Sequence, residues 1–133
     1  ELKRPIIFHN READKDLIQI LTEYPDFISF AHGFSSKLNT ARAFLDMGYY
    51  ISFSVNITFK KSLLPSVAKE IPINRLLVET DSPYVSPVPH RGKPNEPGRT
   101  RFVAEKLADI YNLSLEDIAQ QTSNNATELF HLP

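Results

Sequence analysis

The stretch RLLVETDSPYVSPVPHRG, residues 75–92, decides the fold. A short apolar run stops at Glu79, Thr80 and Asp81, and prolines follow at positions 83, 87 and 89. Two carboxylates just past a run of strand length are either turn chemistry or the rim of a site. The choice depends on whether the rest of the chain repeats the pattern.

It does. Similar runs occur at PIIF (5–8), FISFA (27–31) and YYISFS (49–54), so with RLLVE (75–79) the starts lie 22, 22 and 26 residues apart. Each run is β-branched or aromatic and too short for a buried helix, so each reads as a strand. Helical patterns lie between them. Residues 11–24 place Leu17, Ile18 and Leu21 on one stripe, and residues 39–48 read as a helix stopped by Gly48. Pro65 opens a third over 64–71, in a first turn that tolerates it. After the Pro/Gly-rich loop 82–98, residues 99–112 form a strong amphipathic pattern. Residues 114–130 read as two short helices, the first capped by Ser114 with Asp117 three residues on. Four βα units in series imply a parallel sheet with right-handed crossovers. That leaves an open doubly wound sheet or half of a (β/α)8 barrel, whose usual ~250 residues are close to twice this chain.

Composition narrows the function classes. At 133 residues, 41% of them hydrophobic, the chain is one globular domain with a real core. With 15 basic and 16 acidic residues, an anion site must be local rather than spread over the surface. The absence of cysteine removes disulfides and thiolate metal sites and is compatible with a cytoplasmic setting. No apolar run approaches the ~20 residues of a membrane span, and no secretory pattern opens the chain.

The ends of the four runs carry the chemistry. They are His9, His32, Ser54 and Asp81, at the carboxyl side where parallel α/β folds bind ligands. By strand alternation, Ile7, His9 and Arg11 share one face if the first strand stays extended that far. Ile28, Phe30 and His32 share one face of the second, and Leu77, Glu79 and Asp81 one face of the fourth. Two imidazoles and a carboxylate suit a divalent ion that activates water, with Asp81 able both to ligate and to take a proton. Taken singly, each has a bland reading: a His after a strand is commonly a surface or capping residue, Asp81-Ser82-Pro83 is good turn chemistry, and Glu79 suits a buried ion pair. Three metal-type groups at the same end of three strands favour the metal.

PIIFHNR, SFAHGFSS, YYISFSVNITFK, the run from residue 75 through PHRGKPNEPGRTRFVAEKLA, and the closing TSNNATELF together resemble the TatD family of metal-dependent deoxyribonucleases. The resemblance spans nearly the whole chain, with ETDxPY followed by PHRGKxNEP as its most specific part. It implies a (β/α)8 barrel cleaving DNA phosphodiesters with one or two divalent ions (Mg, Mn or Zn). It implies His9 and His32 as ligands, Asp81 as catalytic and metal-facing carboxylate, and Arg11 near the scissile phosphate. Asn10 replaces the family's usual Ser, and Gly33-Phe34-Ser35-Ser36 its frequent Cys-Phe-Ser-Gly; both changes bear on substrate preference. The family's opening HxH strand and its metal-bridging Glu have no counterpart here. The chain therefore reads as strands five to eight, with the N-terminal half absent.

Four such strands leave two unpaired edges and expose inward residues such as Ile7, Phe30 and Leu77. A fragment of this kind is expected to be covered by the absent half or by a second copy, with weak metal affinity and little nuclease activity alone. The segment 91–101 carries Arg91, Lys93, Arg99 and Arg101 against Glu96, a net of +3. After a last barrel strand such a loop suits a DNA backbone, with His90 as an added donor or proton carrier. Two alternatives remain: a metallohydrolase of the same barrel acting on amide or ester bonds, and a non-catalytic α/β module that binds a partner.

Overall fold

The computed structural model describes residues 4–133; residues 1–3, the start of the domain expected over 1–133, lie outside the described residues. Four parallel strands form one sheet in chain order: β1 Ile6–His9, β2 Ser29–His32, β3 Tyr50–Phe53 and β4 Leu76–Val78. Helices α1 Asp14–Thr22, α2 Leu38–Asp46 and α3 Leu64–Ala68 link successive strands, and α4 Thr100–Tyr111 and α5 Leu115–Phe130 follow the last. Each strand lies beside its sequence neighbour, as repeated βα units require.

Local chemistry sets the boundaries. Gly48 takes φ +81°, while its N–H donates to Leu45 O at 2.8 Å and Tyr49 N–H to Phe44 O at 3.0 Å. This pair satisfies the last carbonyls of α2 and turns the chain directly into β3. Ser114 and Asp117 complete a reciprocal capping box at the start of α5. The expected break within 114–130 does not occur. One sixteen-residue helix runs through it, because Ile118, Thr122, Asn125 and Leu129 fall at 3–4-residue spacing and are all buried on one stripe.

The two faces of the sheet differ. On one, Ala31, Ile51, Phe53 and Leu76 pack with Phe44, Val103 and Leu107 in the main core. On the other, Phe30, Tyr50 and Leu77 meet Leu129, Ala126 and Phe130 from the end of α5. Phe30 and Leu77 are therefore only 8% and 5% exposed, contrary to the expectation from four bare strands. Asn125 holds α5 there, donating to Ile73 O and Leu76 O at 2.8 Å each. The cover does not reach β1, and Ile7 and Ile28 remain 58% and 50% exposed. Ile28, Tyr50, Arg75, Glu128 and His131 help line an open cavity of about 370 Å³. Among the described residues no helix is long and apolar enough to cross a membrane.

Candidate metal centre

His9 and His32 close β1 and β2 and are register partners, so the sheet sets them side by side with ring centroids 5.8 Å apart. β4 brings Glu79 up beside them, its N–H donating to Phe53 O at 3.1 Å. The Glu79 carboxylate bonds Nδ1 of His32 through one oxygen and accepts the Gly33 N–H through the other. Burial pushes the Glu79 carboxyl above the ordinary carboxylate range, and the charge of His32 and the Gly33 N–H work against that rise. Gly33 adopts φ +56°, and a Cβ there would lie 3.8 Å from both Glu79 Oε1 and His9 Nδ1. The backbone thus threads between the two groups in a left-handed conformation that glycine adopts without strain.

In the neutral ring, donation from Nδ1 of His32 to Glu79 leaves Nε2 with a lone pair. That atom lies 3.5 Å from Asp81 Oδ1. This is longer than a good N–H···O bond of ~2.7–3.2 Å. The two atoms would face one ion if it were bound between them. A carboxylate behind a histidine whose other nitrogen faces a second ligand is the arrangement that orients metal-binding imidazoles. Among the described residues, no three His, Asp or Glu groups already converge tightly enough to hold a metal ion. His32 and Asp81 are poised; His9 is the exposed, outlying member.

Simple alternation does not carry to the ends of two strands. β4 stops at Val78, and Asp81 reaches the site through a left-handed turn at φ +67° rather than as the next residue of an extended face. The turn is held by Tyr84 N–H donating to Asp81 O at 3.0 Å and by a 2.7 Å bond between the Thr80 and Ser82 hydroxyls. β1 stops at His9 and the chain bends at 11–12, so Arg11 is an exposed loop residue and does not continue the face of Ile7 and His9.

The loop after β4 folds back over the same end of the sheet. Buried Asn95 donates to Thr80 O at 2.8 Å and Tyr84 O at 3.0 Å, and Val88 N–H donates to Thr58 Oγ1 at 3.1 Å in the turn after β3. The Arg91 guanidinium lies 4.0 Å from the Phe59 ring centroid and donates to Ser86 O at 3.3 Å. The His90 ring packs edge-on to Phe102 at 5.0 Å. Arg99 pairs with Glu96 at 2.9 Å and Arg101 with Glu105 at 2.7 Å. Two of the four loop cations are thus already neutralised. Among the described residues, Arg91 and Lys93 are exposed and form no carboxylate pair.

One set of residues beside the site escaped sequence reasoning. Asp14, in the first turn of α1, accepts from Ser36 Oγ at 2.7 Å, Thr40 Oγ1 at 2.9 Å and the Asn10 amide. Asn10 Nδ2 also donates to Ser36 Oγ at 3.0 Å, and its Oδ1 accepts the Ala13 N–H at 3.2 Å. Burial raises the Asp14 carboxyl, but these hydrogen bonds and the charge of Lys37 outweigh it and hold it below its ordinary value. In sequence Asn10 and Ser36 stand out only as departures from the family's usual residues, Asp14 and Thr40 fall inside helical patterns, and the one available signal is that Asn10 follows His9 directly.

A family model described as TatD related DNase matches residues 1–131. The uncharacterized metal-dependent hydrolase YcfH of Escherichia coli K12 is 45% identical over 135 residues, covering 99% of this chain and 51% of YcfH. YabD of Bacillus subtilis, named in the same words, is 42% identical over 135 residues, covering 99% of this chain and 53% of its own. The crystal structure of the TatD homologue YjjV from Escherichia coli K12 superposes with a TM-score of 0.89 at 32% identity, over 97% of this chain and 51% of that one. The chain spans about half the length of the curated relatives it matches. Its four βα units are one half of a (β/α)8 barrel.

Proposed function

The chain belongs to the TatD-related DNase family, and on that premise we propose that it carries part of the centre of a metal-dependent hydrolase acting on DNA phosphodiesters. The observation that carries the reading is His32, tied to Glu79 at one ring nitrogen and 3.5 Å from Asp81 at the other. His9, His32 and Asp81 would hold a divalent ion of the Mg, Mn or Zn kind; their donor types fit it. Bound there, such an ion supplies a water of lowered pKa and an electrophile for a phosphoryl oxygen. Asp81 would both help to hold the ion and accept the proton of an attacking water. Glu79 keeps the His32 ring fixed, with Nε2 turned toward Asp81. Arg91 and Lys93 hold the DNA backbone by charge, with Arg11 near the scissile phosphate and His90 as an added donor or proton carrier.

The open side of the sheet supports a partner. β1 and β4 are its two edges, and Ile7 and Ile28 stay exposed beside the first. The remaining half of an eight-stranded barrel is the occupant that would pair both edges and cover both side chains.

Titration of the chain with Mn²⁺ tests the site. Weak binding lost in both His32→Ala and Asp81→Asn supports it, and binding unchanged by both substitutions overturns it. Single-stranded DNA, double-stranded DNA, RNA and a chromogenic ester, incubated with Mn²⁺, test the substrate class. Slow DNA cleavage abolished by Asp81→Asn supports the nuclease reading, and turnover of the ester alone overturns it. Light scattering on a size-exclusion column tests the open side. A 15.2 kDa monomer that binds no apolar dye counts against a covered face, and a dimer identifies a second copy as the cover.

A further inference from the structure

We propose that Asp14 is a positioning residue that sets the approach of His9 to His32 by tying together the loops that follow their strands. The inference rests on the reading of those histidines as metal ligands, and concerns a residue outside the ligand row. Its basis is the connectivity of one carboxylate. Through Asn10 it grips the residue next to His9; through Ser36 it grips the loop four residues beyond His32; through Thr40 it grips the first turn of α2. The carboxylate itself belongs to the first turn of α1. Three donors from two consecutive βα units therefore close on a single carboxylate.

The placement matters because His9 is the weakly held member of the site. It is exposed and on an edge strand, and the chain bends two residues later. Among the described residues its side chain has no hydrogen-bond partner, whereas His32 is bonded to Glu79. β1 has one neighbouring strand, so the ladder fixes it from one side only. Past the register pair of His9 and His32, the two chains separate into loops. The Asn10–Asp14–Ser36–Thr40 network is the first set of bonds beyond that point which joins them again. Asn10 and Thr40 are buried, at 6% and 5% exposure, and Asp14 and Ser36 are half-buried, so water competes only in part for these bonds. Removing the acceptor leaves two hydroxyls and an amide donor without their common partner, and the Asn10–Ser36 bond is then the one remaining side-chain tie between the β1 and β2 loops among the described residues, so the two can shift more easily relative to each other.

The experiment compares Asp14→Ala with Tyr111→Phe in the 133-residue chain. Tyr111 shares its hydroxyl proton between Ala68 O and Ile71 O, in the packing of α4 against α3 and away from the ligand row. Both variants are expected to lower Tm. Only Asp14→Ala is expected to weaken Mn²⁺ binding, by about fivefold, below the ~10–100-fold typical of removing a direct partner of a ligand. Without metal, Asp14→Ala is also expected to move the His9 imidazole ¹⁵N resonances while leaving those of His32 in place. Asp14→Glu, which keeps the carboxylate, is expected to recover part of the affinity. If Asp14→Ala does not fold, Asp14→Asn is read in the same assays with the same criteria. Equal Mn²⁺ affinities in the Asp14 variant and wild type overturn the proposal, as does an affinity loss matched by Tyr111→Phe at equal loss of Tm. If wild type binds no Mn²⁺, the metal reading fails separately and the His9 resonances alone decide: a shift confined to His9 supports the clamp, and unmoved resonances overturn it.

Discussion

β3 and β1 are each four residues long, rich in apolar side chains and parts of one parallel sheet, yet their surroundings are opposite. Every residue of β3 is buried: Ile51 and Phe53 against the helices, Tyr50 and Ser52 on the other face. β1 has three exposed residues in four. The difference follows from position. β3 has a strand on each side, helices on one face and the end of α5 on the other. Among the described residues β1 has one neighbouring strand, and Ile7 is left 58% exposed. A parallel strand is stabilised when both faces are covered, and this chain completes that cover for β2, β3 and β4 but not for β1. The candidate site straddles the boundary. The His32–Glu79–Gly33 arrangement lies toward the finished side and is fixed by hydrogen bonds, while His9 lies toward the unfinished one.

The sharpest way to break the comparison is to truncate the same residue type in the two strands, beginning with the larger effect. Ile51 is 0% exposed, so Ile51→Ala removes buried methyl groups and leaves a cavity that close-packed neighbours cannot fill. The expected loss is about 2–5 kcal/mol in urea unfolding. A loss below ~1 kcal/mol would mean that the core around β3 is not packed as described.

Asn125→Ala comes next. It leaves the carbonyls of Ile73 and Leu76 without the amide that joins α5 to the start of β4. Buried acceptors deprived of their partner cost about 1–3 kcal/mol. The same loss should increase apolar dye binding, because α5 is what covers Phe30, Tyr50 and Leu77. A destabilised variant with no added dye binding would show that α5 stays seated without this bond.

Asp14 gives a smaller effect with a definite pH window. Its folded carboxyl titrates below the ordinary 3.8. The unfolded state therefore takes up the proton first as pH falls, and the stability that Asp14 contributes is present above about pH 3.8 and lost below it. Asp14→Asn is expected to be less stable than wild type at pH 7, with the gap closing below pH 3.8. A gap of constant size down to pH 2.5 would mean that the bonds from Ser36 and Thr40 do not depend on the charge.

These contrasts also explain what was legible in the sequence. The alternation of strands and helices, Gly48 at the end of α2 and the capping box at Ser114 were readable, since each depends on neighbours within a few residues. His32 facing Asp81 was readable in outline, because each lies at or just past the carboxyl end of a strand. The reach of alternation was not. Asp81 arrives by a left-handed turn and Arg11 lies beyond a bend, and nothing in period-two spacing marks where extension stops. The cover over Phe30 and Leu77 was hidden because it comes from Leu129 and Phe130, 99 and 53 residues away for the pairs Phe30–Leu129 and Leu77–Phe130. The role of Asp14 was hidden for the same reason: its partners Ser36 and Thr40 lie 22 and 26 residues on.

The smallest expected effect is the most informative about the open side. Ile7 is 58% exposed, so Ile7→Ala in an uncovered chain removes little buried surface and should change stability by no more than ~0.5 kcal/mol. The same substitution in a covered sheet truncates an interior side chain and should cost several-fold more. Measuring Ile7→Ala by urea unfolding over a hundredfold range of protein concentration separates the two states. A cost near zero at every concentration means that β1 is bare in solution. A cost that grows with concentration means that association buries Ile7, and the concentration at which it appears gives the strength of that association. A large cost independent of concentration would contradict the exposure of β1 itself, and with it the division of the sheet into a finished and an unfinished side.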